Sequence, residues 1–253
     1  MKNFIFIILA LVLLVGFVSY SNLNYSKTVS DLVRNGQLGL GELKYTAYLF
    51  SVIPVAEARI GLDKEEDYQE RKAVHLTAEV KNLDYLSKIF NGYAIFNSYM
   101  DKEKLDVLEY KQKIVVTGKE DLYKEATYDQ EKLVMTINKV ERQIFPNTQD
   151  QLTLIANIRR MDLDKAKDIE FNVNTNQKNY IFKGTVTPKD VTIKGKAYRI
   201  YLVKSTIRRR DKNPYHKSSV DVVLLKNGSD NTPILIKVFA SGFLISARLV
   251  EIK

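Results

Sequence analysis

Apolar and polar residues alternate with a period of two along most of the chain, as in strands that bury one face and wet the other. In 168–174, DIEFNVN, Ile169, Phe171 and Val173 share one face, and Glu170, Asn172 and Asn174 the other. In 132–138, Leu133, Met135 and Ile137 oppose Val134, Thr136 and Asn138. Comparable runs at 41–59, 68–80, 105–117, 180–187 and 196–207 are punctuated by turn residues at 118–121, 188–190, 194–196 and 227–230. The pattern predicts a mainly β fold: a large curled antiparallel sheet, barrel or half-barrel, with one or two short helices packed on it.

The helices belong where the period changes. In 148–160, Leu152, Ile155, Ile158 and Met161 recur at helical spacing behind Thr148-Gln-Asp-Gln151, which has the form of a capping box led by Thr148. A weaker helical segment covers 83–91. The C-terminal strands differ again. Ile234, Ile236, Val238 and Ala240, then Phe243, Ile245, Ala247 and Leu249, make a wholly apolar face. The opposite face is apolar but interrupted by Lys237, Ser246 and Arg248. Both faces therefore need a cover, and the mixed one is where a helix, a partner or a lipid would lie.

The N-terminus changes the picture. Residues 4–18 are an unbroken apolar run preceded by Lys2, shorter than the ~20 residues of a comfortable membrane span. It matches a secretory signal, with Ser19 and Ser21 placed for cleavage before Asn22, or else an uncleaved anchor. The chain then divides into 1–21, signal peptide or membrane anchor; 22–37, a short connecting segment; and 38–253, one β domain. Either reading exports the domain, to the periplasm in a bacterium, soluble or held at the inner membrane. The chain has no cysteine, so it has no lipoprotein anchor, disulfide or thiolate chemistry and must be stabilised by its core alone. Its formal net charge of +9 favours anionic envelope surfaces over nucleic acid in an exported protein.

Candidate chemistry is sparse. The two histidines, His75 and His216, have no metal-ligand spacing, and the chain has no nucleophile elbow, phosphate-binding loop or dinucleotide fingerprint. No catalytic residue, metal or cofactor is expected; a hydrolase would need a desolvated carboxylate or histidine that sequence does not show. The basic cluster is more specific. Lys204, Arg208, Arg209, Arg210, Lys212 and Lys217 crowd one strand end and its loop, with Tyr215 and His216 among them. With Lys237 and Arg248 they are candidates for gripping a lipid or its phosphate headgroup, since arginine forks pair with phosphate oxygens. A solvated hairpin tip is the alternative.

Several segments also resemble a known family. Gly41-Glu-Leu-Lys-Tyr-Thr-Ala-Tyr-Leu-Phe followed by VAEARI is similar to the opening of the bacterial DUF3108 domain, an exported family of undefined function. The 148–159 helix resembles that family's Gln-Asp…Leu-Arg helix at Gln149, Asp150 and Arg159, and the ending resembles it at Asp230, Pro233 and Gly242. The absence of any Trp, and Leu105–Glu109 where the family often has a Pro, are departures. The resemblance implies a curled sheet and an envelope location, gives these positions structural roles, and supplies no catalytic residue. Two readings follow. The first is a non-enzymatic envelope protein holding a lipid or acyl chain in the groove of its sheet. The second is a membrane-tethered structural or protein-interaction module with an envelope partner and no small-molecule ligand.

Overall fold

The computed structural model describes residues 25–34, 41–87, 91–175, 177–211, 218–240 and 242–253. The N-terminal signal or anchor lies outside them. Among the described residues no helix is long and apolar enough to cross a membrane.

The predicted curled sheet is present as one 15-stranded sheet. Strands β1 (Leu43–Leu49), β2 (Ile53–Tyr68), β3 (Arg71–Asn82), β4 (Gly92–Asp101), β5 (Val107–Val116), β6 (Leu122–Asp129), β7 (Val134–Ile137) and β8 (Val140–Gln143) form one meander. The second begins with β9 (Thr148–Gln149), β10 (Asp168–Thr175) and β11 (Lys178–Ile193). It continues through β12 (Lys196–Arg209), β13 (Ser219–Asn227), β14 (Asp230–Ala240) and β15 (Phe243–Ile252), and β15 pairs with β1. All neighbours are antiparallel except β9 and β10. The long 41–59 run is two strands, because the chain turns at Phe50 and Ser51, both in the left-handed region. A turn expected at 188–190 is absent: β11 runs through it, with Pro188 opposite Tyr201. Val186 sends its N–H away from β12, to the Lys167 carbonyl, and Pro188 faces that same side beyond the end of β10. A proline's missing donor costs nothing at an open edge.

The edges β8 and β9 do not pair with each other, and side chains bridge them instead. The Gln130 amide donates to the Thr148 carbonyl (2.8 Å) and accepts from its N–H (3.3 Å), standing in for a strand. Asn179 and Asn172 donate to the carbonyls of Gln143 (2.8 Å) and Pro146 (2.7 Å).

Among the described residues two α-helices complete the fold, and the described part of 83–91 contains a single 3-10 turn, Asp84–Leu86. Helix α1 (Tyr25–Arg34) falls in the segment read as a connection, and packs on β11, β14 and β15. Helix α2 (Gln151–Arg160) lies against β3 and β4 on one side and β10 and β14 on the other. Leu152, Thr153, Leu154, Ala156, Asn157, Ile158 and Arg159 are buried, covering nearly the whole circumference of the helix. It is therefore not an amphipathic helix with one wet side. It is a plug inside the curled sheet.

The placement of the helices explains the two-sided apolar strands. Val222, Leu224 and Ile236 join a cluster containing Leu154 and Ile158 of α2. Val223, Leu225 and Leu235, facing the other way, join the cluster that includes Val29 and Leu32 of α1. The expected faces pair as read: Ile236 lies opposite Ala247, Lys237 opposite Ser246 and Leu235 opposite Arg248. The inner face packs on α2 and much of the outer, mixed face on α1. Truncation of the fully buried Leu32 to Ala is expected to destabilise the protein by about 2–4 kcal/mol. Denaturant unfolding of the purified chain measures this; a loss below roughly 0.5 kcal/mol would mean that α1 does not cover the sheet.

Candidate functional site

Three features hold the chemistry-bearing residues: a buried polar network around α2, a basic strip on the outer face, and one end of the barrel.

The network gathers the residues picked out by family resemblance. Asp150, wholly buried, caps α2: its Oδ1 accepts from the N–H groups of Leu152 (2.7 Å) and Thr153 (3.0 Å), and Ser98 donates its hydroxyl to Oδ2. Thr153 completes the box by accepting from the Asp150 N–H (2.9 Å). This corrects the sequence reading, in which Thr148 caps and Gln151 reaches back. Thr148 is held in strand β9 opposite Asn172, and its hydroxyl donates to Phe145 (2.6 Å), while Gln151 bonds Thr175. A carboxylate accepting two amides at a helix N-terminus displaces the threonine.

Gln149 accepts from Asn157 (3.0 Å), which also donates to the Leu105 carbonyl (3.1 Å). Arg159, 4 % exposed, reaches Asp230 (3.4 Å) from the last turn of α2, and the Asn231 amide donates to the carbonyls of Arg159 and Met161. The buried Tyr45 hydroxyl donates to the Pro233 carbonyl (2.6 Å), and burial pushes it well above the usual phenol range. Gly242 supplies the left-handed backbone of the last hairpin, φ +83°. These positions are thus the fixings of the plug.

The basic residues separate into two groups. At the far end of β12, Arg209 pairs with Asp211, and Arg210 lies 4.1 Å over the Phe145 ring and bonds Asn172. Arg210 thus helps to bridge the sheet edges while Arg209 is matched locally, and Arg208 is exposed beside them. Lys212, Tyr215, His216 and Lys217 lie outside the described residues. Lys204, Lys237 and Arg248 stand together on the outer face of β12, β14 and β15, where burial lowers the Lys237 pKa against the pull of Asp221. Arg248 packs 4.5 Å over the Tyr48 ring and donates to the Ser51 carbonyl (2.7 Å).

The turns joining β1 to β2, β3 to β4, β5 to β6 and β14 to β15 lie at one end of the barrel, because the strands alternate in direction. Seven of the ten exposed large hydrophobics sit there: Val52, Tyr85, Tyr93, Leu122, Tyr123, Phe239 and Ile245. Lys113 lies over the rings of both Tyr93 and Tyr123. At the opposite end the turns carry paired charges, among them Lys72–Asp67, Lys102–Glu65 and Lys132–Asp129. Sequence reading missed this end, since its residues are scattered over the chain. His75 stacks on Tyr99 and its Nε2 lies 3.1 Å from Asn97 Oδ1, on the outer face of β3. No group of three potential metal ligands comes together among the described residues.

These features define a barrel-like, incompletely closed and almost wholly antiparallel sheet with an internal helix. The sequence matches the model of DUF3108, a protein of unknown function, over residues 44–241, and the chain belongs to that family. It is also similar to a crystal structure described as a beta-barrel-like protein of domain of unknown function DUF1849 from Brucella abortus, with TM-score 0.58 and 10% identity. The match covers 85% of this chain and 98% of that one, and shows the fold alone. No curated protein matches the sequence.

Burial pushes the Asp150 carboxyl up to about 6, against the Ser98, Leu152 and Thr153 bonds that hold it down. A raised carboxyl binds its proton more tightly folded than unfolded, so its ionisation costs stability above about 6 and that cost is relieved as pH falls toward 4. Asp150→Asn removes it. From pH 7.5 to 4.5 the stability difference between wild type and D150N is expected to move toward wild type by on the order of 2–3 kcal/mol, measured by urea unfolding. A pH-independent difference would show that Asp150 does not titrate in this range.

Proposed function

We propose that this protein is a non-enzymatic module of the bacterial envelope, tethered through its N-terminal apolar segment, that recognises a partner with its outer surface. The observation that carries this reading is α2, buried around its circumference between the two halves of the sheet. An acyl-chain groove needs an open apolar interior, and here that position holds a helix fixed by Asp150, Asn157 and Arg159. This favours the interaction module over the lipid-carrying barrel. The apolar end with Tyr85, Tyr93, Leu122 and Tyr123 offers the kind of aromatic surface that association buries.

Native mass spectrometry of the protein purified from membranes is expected to show a core without retained acyl lipid. In cells, a photo-crosslinking residue at Tyr123 is expected to give one discrete protein adduct, and one at Glu131, on the opposite end, none. Stoichiometric lipid surviving purification, with no adduct from Tyr123, would restore the groove reading.

A further inference from the structure

Buried polar side chains without a partner are rare in folded proteins, and several in one place mark a site. Three of the buried polar atoms that lack a hydrogen-bond partner among the described residues belong to neighbouring positions on the outer face: Ser246 Oγ, Ser51 Oγ and Arg248 Nε. Ser246 is fully buried and lies between Lys237 on β14 and Tyr48 on β1, directly opposite both. Arg248, two residues further on the same face, crosses the ring of Tyr48, the residue opposite Ser246, to reach the backbone carbonyl of Ser51. Lys237 brings a second cation, half-buried, whose pKa is lowered first by burial and then by Arg248 and Lys204, against the pull of Asp221. The carboxylate facing this pair is Asp221, opposite Lys237, and it also accepts from the Ser205 N–H (3.2 Å). Beside the cluster, Lys27, Thr28, Asp31 and Leu32 of α1 and Tyr48 and Arg248 of the sheet line a depression of about 380 Å³.

We infer that Arg248, Lys237, Ser246 and Ser51 form a binding site for a phosphate-class anion. Lys204, Lys237 and Arg248 outnumber the one carboxylate opposite them, Asp221, and a guanidinium fork with hydroxyl donors nearby complements phosphate oxygens. Arg209 and Arg210 each leave a buried Nε without a partner too, but the two orphaned serine hydroxyls lie with Arg248, and Arg209 is already matched by the Asp211 carboxylate. The inference rests on the proposed tethering only for the source of the phosphate. Helix α1, which follows the apolar segment closely in sequence, lines the depression, so a lipid headgroup is the source expected there.

Isothermal titration of the full-length protein in zwitterionic detergent tests this with three probes: inorganic phosphate, dihexanoyl phosphatidic acid and dihexanoyl phosphatidylcholine. Saturable binding of phosphatidic acid is expected, weakened at least tenfold by Arg248→Gln and Lys237→Gln and unchanged by Arg208→Gln. Phosphatidic acid binding well above inorganic phosphate identifies a headgroup, whereas equal binding identifies free phosphate; either supports the site. Ser246→Ala separates function from folding. Its hydroxyl has no partner in the fold, so the variant is expected to keep the wild-type unfolding temperature and lose at least threefold in affinity. No saturable binding of either anion, or equal loss in R208Q and R248Q, would overturn the site. The mass-spectrometric result on interior lipid is independent of these outcomes, so the two readings fail separately.

Discussion

A sheet of fifteen strands encloses more volume than its own side chains can fill, and an unfilled apolar interior would leave the sheet without packing partners. Helix α2 meets that constraint, and most of the fold is organised around holding it. A helix inside a barrel brings its own difficulty, because the free N–H groups of its first turn are withdrawn from water. Asp150 answers with two amide bonds and a third to Ser98 on β4. At the other end Arg159 and the Asn231 amide tie the last turn to β14. The plug is thus anchored to both meanders, and the open edges need only the side-chain bridges of Gln130, Asn172 and Asn179.

The same constraint shapes the C-terminal strands. With α2 on the inner face and α1 on the outer, β13 and β14 are covered on both sides, as an apolar residue at nearly every position requires. This layering also supplies what the absence of cysteine takes away: burial on two faces in place of a covalent tie.

Sheet, curl and strand faces were legible in the sequence because period-two alternation is local and needs no partner to be read. The 188–190 turn was misread because Pro and Asp signal a turn unless the proline lies on an unpaired edge, and edges are a property of topology. The cap was placed two residues early for a related reason. Thr148 and Asp150 are both competent, and the choice depends on β9 pairing with a strand that begins twenty residues later. The family positions Gln149, Asp150, Arg159 and Asp230 are separate points in the sequence; only the fold shows them meeting at one helix, with Pro233 bonded to Tyr45 instead. Ser51 and Ser246 carried no signal, since a serine in a strand or turn is ordinary until its hydroxyl is seen buried without a partner.

The positive charge of the chain has meaning only once the fold divides it. Arginines 209 and 210 look like the centre of a basic patch, yet Arg209 is matched by Asp211 and Arg210 is engaged by Asn172 and Phe145 at the edges of the sheet. Lys237 and Arg248 are isolated in sequence, yet they stand on one face beside Ser246. A cation matched inside the fold has little attraction left for a ligand, whereas cations that outnumber their one facing carboxylate, Asp221, keep theirs. Density of charge along the chain is therefore a poor guide to where an anion binds here. What selects the outer face of β14 and β15 is the combination of like charges brought together and hydroxyl donors left over, and both arise from the register that sets Lys237 and Tyr48 on either side of Ser246.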